Sequence, residues 1–344
     1  MTEPIPLRTG LEIVAAVPFL LRFHPADGDL VAIGIIDGHF QSANQVSAAG
    51  IHIDEVAERL AKDGCTSAHV IGYGPSQQVD DALNVAAIAF RYHDIDLQRV
   101  IQVTDGSYWS RHDPHDPDNG QRITTYSPVA AEMVARGMTA LPDRDAITAL
   151  LDSAPDDELR KVSIAIEAAL KTGMHGPAAV ALVRNHTDAG TFPDVTECAQ
   201  ILNSLRDRHG EALGFGITEN DPKRALPVWL FVLRHAPDTH VGEPASQVAY
   251  AAFRSGHGAL ARDAIGLARV ARPDSRLYDL IAMAINTTNP KKFPPMGSLL
   301  TALTDPATFT ANTRPVNDGT PTPPSVNGAT PEDPEPTHGH RHGR

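Results

Sequence analysis

The apolar positions Leu11, Val14, Ala15 and Phe19 recur at the spacing of one helix face and predict a first helix ending near Phe23. The unbroken apolar run from Leu30 to Ile36 suits a buried strand. Asp37-Gly38 then supplies the positive φ angles of a type I′ turn, so His39 to Val46 returns as the second arm of a hairpin. Ile53, Val56, Ala57 and Leu60 fall at i, i+3, i+4 and i+7, the stripe of an amphipathic helix. Ala68 to Gly72 reads as a strand, and Ser76 is expected to cap the next helix, striped by Val79, Ala82, Leu83, Ala86 and Phe90. Arg99 to Val103 is another strand, and Asp105-Gly106 another hairpin turn into Ser107 to Ser110. This order predicts an α/β domain over 1–126, a mixed sheet sandwich with β-hairpins, whose β-α-β portion crosses over right-handed.

Beyond Ser127-Pro128, a helix start with Pro at the first position, strand signals largely stop. Helical patterns follow around 128–137, 143–152, 156–171, 176–188, 194–208, 222–235, 244–255, 259–271 and 275–286. Gly256, Ala261, Ile265, Ala268 and Pro273 have the spacing of the second half of a tetratricopeptide unit, while only Ala249 fits the first half. The expectation is therefore α/β followed by mostly α, with a helical, tetratricopeptide-like domain over 127–304. The remainder, 305–344, is rich in Pro, Thr, Gly and acids and reads as a disordered tail. Its His338, His340 and His342 offer either weak metal capture or an incidental polar terminus.

Composition narrows the functional classes. The formal net charge is −13, with Lys and Arg dispersed, so the cationic stripe that nucleic acid requires is missing, and anionic membranes are disfavoured too. The two cysteines, Cys65 and Cys198, form no C-x-x-C pair and suit free structural thiols in a reducing cytoplasm. The run from Ile13 to Leu21 is broken by Pro18, too short to span a bilayer and unlike a signal peptide.

Several segments together carry a family resemblance: LRTGLEIVAAVPFLLRFHPADGDLVAIGI (7–35), DGSYWS (105–110), SPVAAEMVARGMTALPDRDAITALL (127–151), VWLFVLRHAP (228–237) and ALARDAIGLARVARPDSRLYDLI (259–281). Their order and spacing resemble the actinobacterial proteins grouped as domain of unknown function 4192. The resemblance runs over most of the chain and implies a fold and a bacterial group, but no reaction. The chain departs from the family at Asp27-Gly28-Asp29-Leu30, where members read aspartate-serine-leucine, and at Arg111 to Asp118, where members often carry cysteines. If the cysteines of relatives serve a redox or metal role, the second departure implies that this chain has lost it, or has replaced the ligands with His112, His115 and carboxylates.

The candidate chemistry concentrates in DGSYWSRHDPHDPD, residues 105–118. His112, Asp113, His115 and Asp116 supply the donors of a divalent metal site; against this, Asp-Pro and His-Asp pairs are also ordinary turn chemistry. Tyr108 and Trp109 should point to opposite sheet faces, one into the core. Gly72-Tyr73-Gly74-Pro75-Ser76, opening a helix, could receive an anion or nucleotide phosphate, or be only a tight turn. His24-Pro25-Ala26-Asp27 offers a further His and Asp, or a loop whose Asp bonds nearby backbone. If the strands ending at Gly72 and Val103 run parallel, the loops after them share a rim. Gly72, Gly74, Ser76, Asp105 and Trp109 are the expected ligand contacts there. No nucleophile elbow or base-paired thiol is found, so the leading expectation is a non-catalytic module that binds a protein or peptide through its helical region or senses a small ligand. The alternative is a metal-assisted hydrolase or nucleotide-processing enzyme at the edge formed by 72–76 and 104–118.

Overall fold

The computed structural model describes residues 7–49, 52–124, 127–172, 177–287, 290 and 293–296. The predicted tail, with His338, His340 and His342, lies outside them.

Local signals place the first elements. Helix α1 (Gly10–Leu21) opens with a reciprocal cap: the Glu12 amide donates to Thr9 Oγ1 at 3.1 Å and the Thr9 amide to Glu12 Oε2 at 3.0 Å. It stops at Leu21, because Arg22 adopts a left-handed φ of +73°, and Phe23 bridges to Leu141 instead of continuing the helix. Strands β1 (Asp29–Ile36) and β2 (His39–Ser47) form the expected hairpin, with Asp37 and Gly38 both at positive φ. Then come α2 (Ile53–Lys62), β3 (Ser67–Tyr73), α3 (Ser76–Tyr92), β4 (Asp96–Thr104) and β5 (Ser107–Ser110). Ser76 is not the cap of α3. Pro75 holds that position, and the Ser76 hydroxyl, one residue inside the helix, donates to Gln102 Oε1 at 3.1 Å.

The sheet has the order β2-β1-β3-β4-β5. β1 is antiparallel to β2 and β3, β3 is parallel to β4, and β5 returns antiparallel to β4. Alternation along the strands divides two cores. Leu30, Ala32, Val70 and Val100 meet the stripes of α2 and α3 on one face. Val31, Ile33, Ile71, Ile101 and Tyr108 face α1 on the other. Tyr108 is fully buried there, its ring filling the space where a Cβ on Gly10 would stand, while Trp109 on the opposite face is 43% exposed.

The second half is helical: α4 (Pro128–Ala135), α5 (Arg144–Thr148), a 3-10 turn (Ala149–Leu151), α6 (Asp156–Thr172), α7 (Pro177–Ala189), α8 (Val195–Leu205), α9 (Arg208–Asn220), α10 (Pro222–Arg234), a 3-10 turn (Asp238–His240), α11 (Gly242–Arg254), α12 (Gly258–Ala271) and α13 (Arg276–Thr287). Ser127 caps α4 through the Ala130 amide at 3.0 Å. Helix α9 lies outside the helical patterns of the sequence, because Gly210, Gly214 and Gly216 lower its propensity. Two of these glycines are demanded by packing: a Cβ would stand 2.0 Å from the Ser204 carbonyl oxygen at Gly210 and 2.9 Å from the Gln247 side chain at Gly214. α11 and α12 pair as a helical hairpin around Gly256, at φ +79°, with Ala249, Ala261, Ile265 and Ala268 buried at their contact. α11 is buried at every position from Gly242 to Phe253 and forms the centre of this half. The α1 face of the sheet and the helical half contribute to one continuous apolar core.

Candidate functional site

β3 and β4 run parallel with Tyr73 opposite Val103, and the Gly74 amide donates to the Val103 carbonyl at 2.8 Å, so their outgoing turns do share one end of the sheet. Each is then closed off. At the first turn, Gly28 donates its amide to the Tyr73 carbonyl at 2.7 Å, and Asp27 and Gly28 stand within 3.3 Å of where a Gly74 Cβ would be. The space beside Gly74 is thus filled by the loop that leads into β1, and Gly72 is packed under Val79 and Leu83. At the second turn, Asp105 and Gly106 reverse the chain at once, both at positive φ. β5 carries it back along β4 until the Arg111 amide reaches the Val100 carbonyl at 2.9 Å. The His112–Asp118 loop therefore starts well back from the shared rim.

One side chain rejoins the two segments. Arg111 reaches Gln102 Oε1 at 3.2 Å and pairs with Asp80 on α3, while Gln102 Nε2 donates to the Gly74 carbonyl at 3.0 Å. With Ser76 on the same Gln102 oxygen, this is a network centred on a buried glutamine, whose members hold one another. The exposed ring of Trp109 lies against Gly120.

The predicted metal ligands brace their own loop. Asp113 accepts from the His115 amide at 2.9 Å; Asp116 accepts from the Asp118 amide at 2.8 Å and the Tyr108 hydroxyl at 3.0 Å. Asn119 ties the backbone carbonyls of Asp113 and Pro114. His112 and His115 point into solvent. Among the described residues, no group of three or more His, Cys, Asp or Glu is placed to hold a metal ion. In the loop before β1, it is Asp29 rather than Asp27 that takes backbone, accepting from the Ala26 amide at 2.8 Å. Both thiols are buried, and burial, with Asp194 nearby, pushes the Cys198 thiol up to about 12.

A concave space lies at the free edge of β2. A cleft of about 760 Å³ runs between Gln45–Ser47, the outer face of α2 and the helical half, where Arg144, Arg262 and Asn286 close it. A second lobe of about 250 Å³ continues from it, and Arg59 and Arg262 border both. Arg59 donates to Asn44 Oδ1 at 2.6 Å and, across the cleft, to the Asn286 carbonyl at 3.0 Å. Arg144 makes a two-pronged pair with Asp263 at 2.6 and 2.5 Å. Arg262 has no hydrogen-bond or ion-pair partner among the described residues.

Residues 11–291 match the family described as "Domain of unknown function (DUF4192)". The chain belongs to that family. No curated protein and no solved structure matches it. The DUF4192 match takes in both sides of the cleft, from Arg59 to Arg262.

Within this DUF4192 chain, the cleft is the place where cations gather without full compensation. Arg262 is open to solvent at its surface yet enclosed by protein mass, and its pKa is lowered first by that burial, then by Arg59 and Arg144, with Asp263 opposing. Burial also lowers Arg59, with Asp63 and Glu55 opposing. Glu58 is engaged by Lys62 at 2.6 Å on the outer wall. An arginine crowded by two others and unpaired is a ready partner for a carboxylate or phosphate, which its planar donor fork matches. Sequence reasoning missed the site because its arginines, at 59, 144 and 262, form no motif and meet only through tertiary packing. In the loop that plugs the β3 turn, Gly28 holds a φ of +87°.

Proposed function

We propose that this DUF4192 protein is a non-catalytic, cytoplasmic ligand-sensing module that takes an anionic ligand in the cleft beside β2. The observation that carries this reading is Arg262, a cation without a partner inside a concavity that already holds Arg59 and Arg144. Arg59, Arg144 and Arg262 all line this cleft, with Glu55 and Glu58 on the α2 side, and the cations together draw an anion locally even on an acidic protein. The network around Gln102, whose polar groups engage one another, favours the cleft over the sheet edge as the place where a ligand binds. The pairing of α11 with α12 supports a partner-facing role less strongly, since α11 is enclosed along its length by the protein's own side chains.

Thermal melting in inorganic phosphate and in citrate, against chloride at equal ionic strength, tests the reading. At about a hundred times Kd, a ligand specific to the folded state adds roughly 2.7 kcal/mol, a rise of about 5 °C for a chain of this size. Arg262→Ala should abolish the rise. Equal melting temperatures in all three salts, or the same rise in the variant, would remove the proposal.

A further inference from the structure

The second lobe mixes two kinds of wall. Leu20 from α1, Ile33 from β1, Phe40 and Ala43 from β2, Phe253 from α11 and Ile285 from α13 make its apolar part, and Gln41, Ser42 and Asn44 of β2 its polar part. Ile33 is fully buried, and Phe253 and Ile285 nearly so. Arg59, Arg262 and Asp63 line the same lobe, and Asp63 supports the charge of Arg59. A lobe that sets apolar side chains beside two arginines suits a molecule that is charged at one end and apolar at the other. At roughly 30 Å³ for a water-sized group, 250 Å³ admits about eight methylene-sized groups.

We infer that the ligand is a soluble, single-chain organic anion, a phosphate or carboxylate bearing an alkyl or aryl group of about that size. Its anionic head sits between Arg59 and Arg262, and its apolar end enters the lobe between Phe40, Phe253 and Ile285. This rests on the anion-binding reading above and adds the apolar half of the ligand to it. The volume of about 250 Å³ suits a short soluble chain rather than a membrane lipid, whose tails would outrun the lobe.

Isothermal titration calorimetry of the full chain with inorganic phosphate, octyl phosphate below its micelle concentration and hexadecyl phosphate tests the inference. Each buried methylene contributes about four-fold in affinity before ordering costs. With most of that gain offset by ordering the flexible chain, octyl phosphate should bind about a hundred-fold more tightly than inorganic phosphate, with no further gain for the hexadecyl chain. Ala43→Phe places a ring in the lobe at a strand position suited to aromatics, and should return octyl phosphate to the affinity of inorganic phosphate while leaving the latter unchanged. Arg262→Ala should weaken both ligands. Equal affinities for octyl and inorganic phosphate would overturn the inference and leave the anion site standing; binding of neither would remove both. Octyl phosphate binding that survives Arg262→Ala would also overturn it. So would sedimentation with phosphatidylglycerol vesicles together with a hexadecyl chain that binds tighter than the octyl one.

Discussion

At Gly210 a Cβ would stand 2.0 Å from a backbone oxygen, whereas at Gly216, two turns along the same helix, it would meet nothing within 4 Å. The two alanine substitutions should therefore differ in sign. Gly216→Ala gains helix propensity and is expected to stabilise by about 0.5–1 kcal/mol. Gly210→Ala forces α9 away from α8 and is expected to cost about 2–3 kcal/mol. Chemical denaturation of both variants reads the contrast, and equal effects would contradict the packing described here. Glu211, near the start of α9, makes a second prediction. Burial, then Glu243 across the interface, raises its carboxyl to about 7, with Arg272, Tyr278 and Ser246 opposing. The folded chain therefore holds a proton that the unfolded chain releases near pH 4.5, so stability should fall as pH rises between about 4.5 and 7. Glu211→Gln should flatten that decline, by no more than about 3 kcal/mol, in denaturation midpoints compared at pH 5 and pH 8.

Among the elements, the hairpins and the amphipathic helices were legible because their signals are local. Asp37-Gly38 and Asp105-Gly106 carry turn geometry in two residues, and Ile53, Val56, Ala57 and Leu60 all face the core their spacing implied. The parallel pairing of β3 with β4 also followed from the intervening helix. Helix α9 was illegible because its glycines answer to α8 and α11 rather than to the chain around them. The two turns do share an end of the sheet, but what covers them was illegible for a related reason: nothing local says that Gly28 will seat on Tyr73, or that β5 will carry the His/Asp loop back along β4. Likewise the cleft depends on α5 and α12 meeting, and the Arg144–Asp263 pair is their polar joint. Being two-pronged and partly buried, that pair should show a coupling of about 1 kcal/mol in a double-mutant cycle with alanine at both positions. A coupling of zero would mean that α5 is held by its apolar contacts alone.

For the molecule as a whole, the continuous core matters more than the change of composition near residue 127. Sheet residues such as Ile33 and Tyr108 belong to the same apolar cluster as Trp229 and Tyr250 of the helical half. Calorimetry should accordingly show one transition for the described body, with calorimetric and van't Hoff enthalpies in agreement. Two resolved transitions would show that the halves fold separately. The enclosure of α11 also has a consequence in time. Its amides, sealed from Gly242 to Phe253 beneath neighbouring helices, can trade hydrogen for deuterium only when the surrounding shell comes apart. They should be the last to take up label, at the rate of global opening, while the outward-facing amides of α3 and α6 exchange early.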